Sequence, residues 1–340
     1  MAIMLQYRKV NDHSVWRKCM KTLKDTITQF TLPTPYAVGD VHVYLIKGDR
    51  VSLIDAGVKT EECWKALVEQ LKEAGYQPED IEQVILTHHH PDHMGLVERL
   101  PNVNTIAGHP NLKPWLEREE EYFSHYEEFF KGMYKESGVP ERFFPLLKGL
   151  RKTLKWTSEG KLTHELTEGD RLPGHEEWVT IETPGHAQSH LSFYREGDGA
   201  LIGGDHLLSH ISSNPLLEPP HTKGEVRPRP LLDYRDSMEK LLKWEIGNVY
   251  PGHGDIFDRA HELIQERLKK QEQRAEKVFR MFSEGPLRAY DVCKRLFPKH
   301  IENQFGLTMS ETIGQLDYLE SVGKLKVSYV DGEKFYQANR

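Results

Sequence analysis

The sequence predicts an α/β fold with a separate helical module at its C-terminal end. Three observations predict it. Short apolar strand-like segments alternate with an amphipathic helix through residues 27–86, and strand-like segments resume between residues 179 and 250. From Arg259 onward the pattern changes to three helices followed by two strands. At 340 residues the chain exceeds the usual size of a single core, so two domains are expected, 1–258 and 259–340.

Residues 27–32, 41–46 and 51–54 are rich in Val, Ile, Leu and Tyr and read as strands. Lys47-Gly48-Asp49-Arg50 is the turn between the second and third, with Gly48 expected at positive φ. Residues 60–74 set Cys63, Trp64, Leu67, Val68 and Leu71 at three- and four-residue spacing, a helix closed by Gly75. Val84-Ile85-Leu86 is a short apolar strand that runs directly into a histidine cluster.

Between residues 111 and 157 charged and aromatic side chains dominate, at spacings that predict two or three helices. This helical insertion is expected to pack its rings as a core of its own; a lid shaping a substrate pocket is the second reading, compatible with the first. Strands resume at 179–181, 191–194 and 201–202. The Pro-rich stretch 209–234 can form neither regular helix nor central strand, so a structured loop is expected. Residues 232–244 read as a helix, and Val249-Tyr250 as a strand feeding Pro251-Gly252-His253-Gly254. Helices follow at about 259–282, 287–297 and 309–322, then strands at 324–329 and 334–337 joined by Asp331-Gly332, a strong hairpin signal. Three helices and a hairpin resemble a winged-helix module.

The hydrophobic fraction of 38% and charged fraction of 29% suit a soluble globular chain, and neither points to disorder. A net charge of −7 gives no global attraction for nucleic acid. Cys19, Cys63 and Cys293 stand far apart with no CxxC, which points to a reducing compartment. The first twenty residues do not read as a signal peptide and no apolar run of about 18 residues occurs, so a cytoplasmic protein without membrane contact is expected.

The chemistry is concentrated in Thr87-His88-His89-His90-Pro91-Asp92-His93. Imidazole and carboxylate are ligands that Zn²⁺ and similar ions accept. On a loop after a strand, His88 and His90 can aim at one ion while Asp92 and His93 aim at a neighbour. Pro91 stiffens the segment and disfavours helix at His90.

This His-x-His-x-Asp-His segment resembles the signature of the metallo-β-lactamase superfamily, and four more segments agree in order. Leu53-Ile54-Asp55-Ala56-Gly57 resembles its strand-end Asp-x-Gly, whose acid supports the metal site from behind. Thr183-Pro184-Gly185-His186, Gly203-Gly204-Asp205 and Pro251-Gly252-His253-Gly254 resemble its later ligand segments. The resemblance spans roughly residues 26–258. It implies an αββα sandwich in which His88, His90 and His186 hold one metal and Asp92, His93 and His253 the other. Asp205 would lie between the two, with Asp92 and Asp205 as the catalytic carboxylates. Two ions about 3.5–4 Å apart clamp a bridging hydroxide and lower the pKa of water to about 7. Glycines 185, 203, 204, 252 and 254 fit backbone turning sharply beside the ions.

Particular residues weigh the branches of this family. Asp205 argues against lactam hydrolysis, because the true β-lactamases lack that carboxylate. His90 argues against the diiron flavoproteins, which carry an acid there, and the retained Asp92, His93 and His253 argue against mononuclear dioxygenases. The glyoxalase-II-like and lactamase-β-like endoribonuclease group remains. It implies a binuclear hydrolase, with zinc expected and iron or manganese open, cleaving an ester or thioester of a small molecule. A phosphodiesterase or endoribonuclease is the alternative, and a metal-binding regulator with a DNA-binding winged helix the second. The third C-terminal helix presents Glu311, Asp317 and Glu320 and few basic residues, which disfavours nucleic acid. Near the expected site, His206, His210, Ser213, Asn214, His221, Arg227, Arg229 and Tyr234 follow Asp205 closely enough to line a cleft. An arginine there would suit a phosphate or carboxylate, with a solvated loop as the competing reading. His42 is read as structural or cleft-facing, His190 as packing near the site, and His89 matches no ligand position.

Overall fold

The structure, a computed structural model, describes residues 27–339; Cys19 and the charged N-terminal segment lie outside the described residues. Strand alternation sorts side chains onto two faces and thereby builds layers. In β2 (Val41–Lys47), Val43 and Leu45 point to one core and Tyr44 and Ile46 to another. β2 lies between β1 (Ile27–Leu32) and β3 (Val51–Ile54), both antiparallel to it. Beyond β3 the sheet continues parallel through β4 (Gln83–Ile85), β5 (Thr105–Gly108) and β6 (His164–Glu165).

The second sheet runs in the order β11 (Val249–Pro251), β10 (Ala200–Gly204), β9 (Leu191–Arg195), β8 (His175–Glu182), β7 (Arg171–Leu172), parallel only between β10 and β11. The inner faces meet in one core, where Tyr44, Ile54 and Ile85 pack with Trp178, Phe193 and Ile202. Helices cover both outer faces. On the first, α1 (Glu61–Glu73) starts where Thr60 accepts the Cys63 N–H, and it buries Cys63, Leu67 and Leu71 against the sheet. The short α2 (Pro91–Met94) follows β4, and α3 (Glu120–Glu136) belongs to the insertion. On the second face, α4 (Pro230–Leu241) and the start of α5 (Ala260–Arg280) bury Tyr234, Met238 and Ile264 with Ile181, Leu201 and Val249.

At the C-terminal end, α6 (Ala289–Leu296) and α7 (Phe305–Ser321) precede the hairpin β12 (Leu325–Val330) and β13 (Glu333–Ala338). Asp331 (φ 49°) and Gly332 (φ 82°) make its turn, the left-handed pair that Asp-Gly favours. Cys63 and Cys293 are both buried free thiols. Among the described residues no helix is long and apolar enough to cross a membrane.

Three expectations are corrected, and three strands are added. Gly48 is not at positive φ; a Cβ there would press on the Gly174 carbonyl and His175, so the residue is small to admit a neighbouring chain segment. The insertion has no core of its own: Trp115, Tyr122 and Phe123 join the α1 core, while Phe130, Tyr134 and Phe143 join the core of α5–α7. It therefore bridges the two. The strands β6 and β7, two residues each, are too short to show a period, and the sequence pattern does not mark them or β5. α7 does not present Asp317, which is fully buried and accepts two bonds from Arg227, at 2.6 and 2.8 Å.

Candidate metal centre

The histidine cluster sits where β4 leaves its sheet. Thr87 follows that strand, and its N–H and hydroxyl both donate to Asp55, at 2.8 Å each. Asp55 itself is a non-glycine residue at φ 63°, past the end of β3. Such a conformation persists only where surrounding bonds enforce it. The conformation serves a purpose: Asp55 Oδ2 also accepts from His93 Nδ1 at 2.7 Å. One strained carboxylate thus orients the cluster's first and last positions.

The outward nitrogens fix the tautomers. The Thr87 hydroxyl hydrogen is spent on Asp55, so its oxygen accepts from His88 Nδ1 at 3.0 Å. His186 Nδ1 lies 3.0 Å from the Asn214 carbonyl and His253 Nδ1 2.7 Å from the Asp40 carbonyl, and a carbonyl can only accept. In its neutral form each ring therefore turns an unprotonated Nε2 inward. His88 Nε2 and His186 Nε2 both come within 2.9 Å of His90 Nδ1. Three nitrogens converge with at most one hydrogen among them.

A second convergence lies beside the first. Asp92 Oδ2 is 3.3 Å from His253 Nε2, and Asp92 Oδ1 is 4.0 Å from His93 Nε2. Asp205 reaches both groups: Oδ1 lies 3.4 Å from His93, and Oδ2 lies 3.5 Å from His186 and 3.6 Å from His253. His93 Nε2, His253 Nε2 and Asp205 Oδ1 are buried with no hydrogen-bond partner. Orphaned groups of this kind are costly unless a ligand completes them. The donor set therefore fits divalent cations, with ligand atoms within 4.8 Å of one another in His88–His90–His186, in Asp92–His93–His253 and in His88–His93–Asp205.

Electrostatics favour positive charge on one side of the cluster and neutral rings on the other. Burial and neighbouring imidazoles hold His88 and His90 well below their ordinary values, in the neutral ligand form. Burial opposes charge on His93, yet Asp205, Asp55 and Asp92 outweigh it and hold that ring well above. Burial also opposes charge on Asp205, and His93 and His253 hold it well below nonetheless. The three carboxylates give the pocket a surplus of negative charge that favours a cation.

The structure thus brings together all seven predicted ligand positions. Behind them, His190 accepts the Asp205 N–H at 3.1 Å and is held through Nδ1 by Thr183 at 2.8 Å. His42 is structural, donating through Nε2 to the Gly254 carbonyl at 2.7 Å. Of the five glycines, 185, 204 and 254 have positive φ. Gly252 is required differently, since a Cβ there would collide with Asp205 Oδ1.

A cavity of about 560 Å³ opens above the cluster. Of the eight loop residues expected to line it, Ser213 and Asn214 do so. The other six do not. Arg227 and Arg229 turn away to Asp317 and Glu320, His206 is buried against Tyr234, and His221 packs on Tyr122. The cavity instead receives Tyr36, Trp115, Tyr126, Leu150, Leu154 and Leu217. Sequence reasoning also missed Glu218. Its carboxylate is buried, bonds His89 Nε2 at 3.0 Å and takes the N–H of Gln188 at 3.0 Å. His89 in turn stacks on Trp115 with ring centroids 4.1 Å apart. No spacing in the chain marks Glu218, which comes from the Pro-rich loop.

Replacing Asp55 by Asn puts an amide donor opposite the Thr87 hydroxyl and the His93 N–H. Metal affinity is expected to fall roughly 10–100-fold, the usual cost of losing an outer partner of a ligand. A competitive chelator titration reads this directly; unchanged affinity would remove Asp55 from the site.

A sequence model of the metallo-beta-lactamase superfamily matches residues 36–253. The chain is 41% identical over 315 residues to the probable metallo-hydrolase YqjP of Bacillus subtilis (strain 168), covering 93% of this chain and 98% of that one. It is similar in structure to the metallo-beta-lactamase family protein TTHA1429 of Thermus thermophilus, with a TM-score of 0.78, 26% identity and coverage of 93% and 100%. Over 144 residues, 42% of this chain and 41% of the other, it is 24% identical to a protein of Aspergillus fumigatus (strain Af293) named atrochrysone carboxyl ACP thioesterase.

Proposed function

The chain belongs to the metallo-beta-lactamase superfamily and is a metallo-hydrolase, and we propose that it cleaves an ester or thioester of an apolar acyl group at a binuclear centre. The observation that carries this reading is the cavity wall. Trp115, Leu150, Leu154 and Leu217 enclose the space above the cluster, and no Lys or Arg is among its described lining residues. An acyl chain gains by leaving water there, whereas the phosphates flanking a scissile phosphodiester would meet no Lys or Arg on the described walls. A thioester named as the substrate of one distant relative agrees with that choice.

A pair of divalent ions, zinc in our reading, supplies Lewis acidity and a deprotonated water at neutral pH. The chain's own groups prepare the site for it. His88, His90 and His186 present neutral nitrogens to one side, and Asp92, His93 and His253 face the other. Asp205 stands between them, its backbone fixed by His190. Trp115, braced by His89 and Glu218, holds the acyl wall against the cluster and excludes water from it. Residues 259–340 we read as a winged-helix-like module that serves as a wall of the cleft. The burial of α7 supports that reading over DNA binding, since its acids are engaged by Arg227, Arg229 and Arg274.

Metal-loaded protein is expected to hydrolyse S-acyl thioesters with kcat/KM rising from acetyl toward decanoyl. Each methylene newly buried contributes ~0.8 kcal/mol, a factor of about four. Equal rates for acetyl and decanoyl, or faster cleavage of a generic phosphodiester, would overturn the assignment.

A further inference from the structure

A second cavity, of about 390 Å³, lies between α5 and the segment entering α7. It shares Ser212, Ser213, Asn214 and Leu307 with the catalytic cavity, so only one loop and one side chain stand between the two. Their chemistries differ sharply. The catalytic cavity has no Lys or Arg among its described lining residues, while this neighbour is lined by Arg267, Lys270, Arg274 and His300. Glu311 is the sole acid among its described lining residues, against three Lys and Arg side chains, in a chain whose net charge is −7.

These cations are only partly engaged. Arg267 donates through Nη2 to the carbonyls of Leu208, Ser209 and Ile211, which anchors the shared loop and leaves Nε and Nη1 for a ligand. Lys270 meets Glu266 in an exposed pair one helical turn away, a weak tie in water. Arg274 holds Glu311 through Nη1 at 2.9 Å. On the shared wall, the Asn214 side-chain oxygen is buried without a hydrogen-bond partner. An unpaired acceptor at that point suits an N–H of a chain passing from one cavity to the other.

We propose that this basic cavity binds a phosphate or pyrophosphate on the leaving group of the substrate, whose acyl part occupies the catalytic cavity. The substrate class is then an acyl thioester of a phosphorylated, amide-containing thiol. This rests on the acyl-hydrolase reading above. Water adds to the acyl carbon, the C–S bond breaks, the thiolate leaves and takes up a proton, and the carboxylic acid remains. A multiply charged group can engage Arg267, Lys270 and Arg274 together, which a single carboxylate cannot. Arg and Lys together supply a fork and a point charge for its oxygens.

The test uses full-length, metal-loaded protein and two substrates with one acyl group, decanoyl-coenzyme A and the uncharged S-decanoyl-N-acetylcysteamine. The parent is expected to favour the phosphorylated thioester at least tenfold in kcat/KM, through KM. Lys270→Gln with Arg274→Gln should bring that ratio toward one. Calorimetry with coenzyme A itself gives an independent reading, with binding at least tenfold weaker in the double variant; Lys270→Gln alone, at an exposed position, serves if the pair impairs folding. No preference in the parent, or equal coenzyme A binding by parent and variants, overturns the proposal. If neither thioester is cleaved but coenzyme A binding is lost in the variants, the anion cavity stands and the acyl-hydrolase reading falls. If both are cleaved alike and coenzyme A does not bind, the reverse holds.

Discussion

Replacing Asp205 by Asn is expected to lower kcat/KM by on the order of 10³, the scale seen when one preorganised charge-stabilising group is removed from an active site. The substitution keeps the shape of the side chain and the backbone N–H that His190 accepts. What changes is charge. Asp205 reaches imidazoles of both ligand groups, His93 on one oxygen and His186 and His253 on the other. An amide cannot offer two anionic oxygens, and its NH₂ would point hydrogen at nitrogens or ions that need a lone pair. Metal bound per chain should fall with activity while the melting temperature of the metal-free protein stays near that of the parent. His253→Ala is expected to act in the same direction, because it strips one nitrogen from the group that Asp92 and His93 complete. Unchanged thioester hydrolysis in both variants would sink the site assignment.

Why the ligand positions could be read from the chain while the substrate walls could not has a physical basis. Four ligand-type residues fall within six positions after one strand, and a loop that short can aim them only at a shared space. Asp205 and His253 each follow a strand of the second sheet, β10 and β11, flanked by glycines that such turns need. Local pattern and tertiary position coincide there. The cavity wall has no such signature. Leu150 and Leu154 come from short helical turns whose periodicity spans too few residues to register, and Glu218 finds His89 across 129 positions of chain. The aromatic insertion is visible as composition, but which rings face which core depends on α1 and α7 together. The strands β6 and β7, two residues each, exist only because a neighbouring strand pairs with them.

Arg227 is where reading charge along the chain and reading it in space diverge furthest, and its removal is expected to destabilise the fold by about 3 kcal/mol, the lower end for breaking a buried ion pair from one side. In sequence Arg227 stands near the catalytic loop and suits an anion; in space its Nη2 donates to both oxygens of Asp317, at 2.6 and 2.8 Å. Asp317 lies inside α7 and is 1% exposed, against 22% for the arginine. Arg227→Ala therefore strands a carboxylate in the packed face between α4, α5 and α7, where water cannot replace the lost donors. The loop that Arg227 closes also carries Ser213, Asn214, Leu217 and Glu218 into the catalytic cavity, so loosening its anchor should weaken substrate binding as well. A fall of roughly 5 °C in melting temperature is the expected size for a chain of this length. The double replacement Arg227→Met with Asp317→Leu separates the two causes: removing both charges should restore most of the stability, because an apolar pair of similar volume costs little where a half-broken ion pair costs much. An arginine serving substrate would behave in the opposite way, with a raised KM for anionic esters, an unchanged melting temperature and no rescue from position 317. That outcome would return Arg227 to the cleft and shift the anion site away from Lys270 and Arg274.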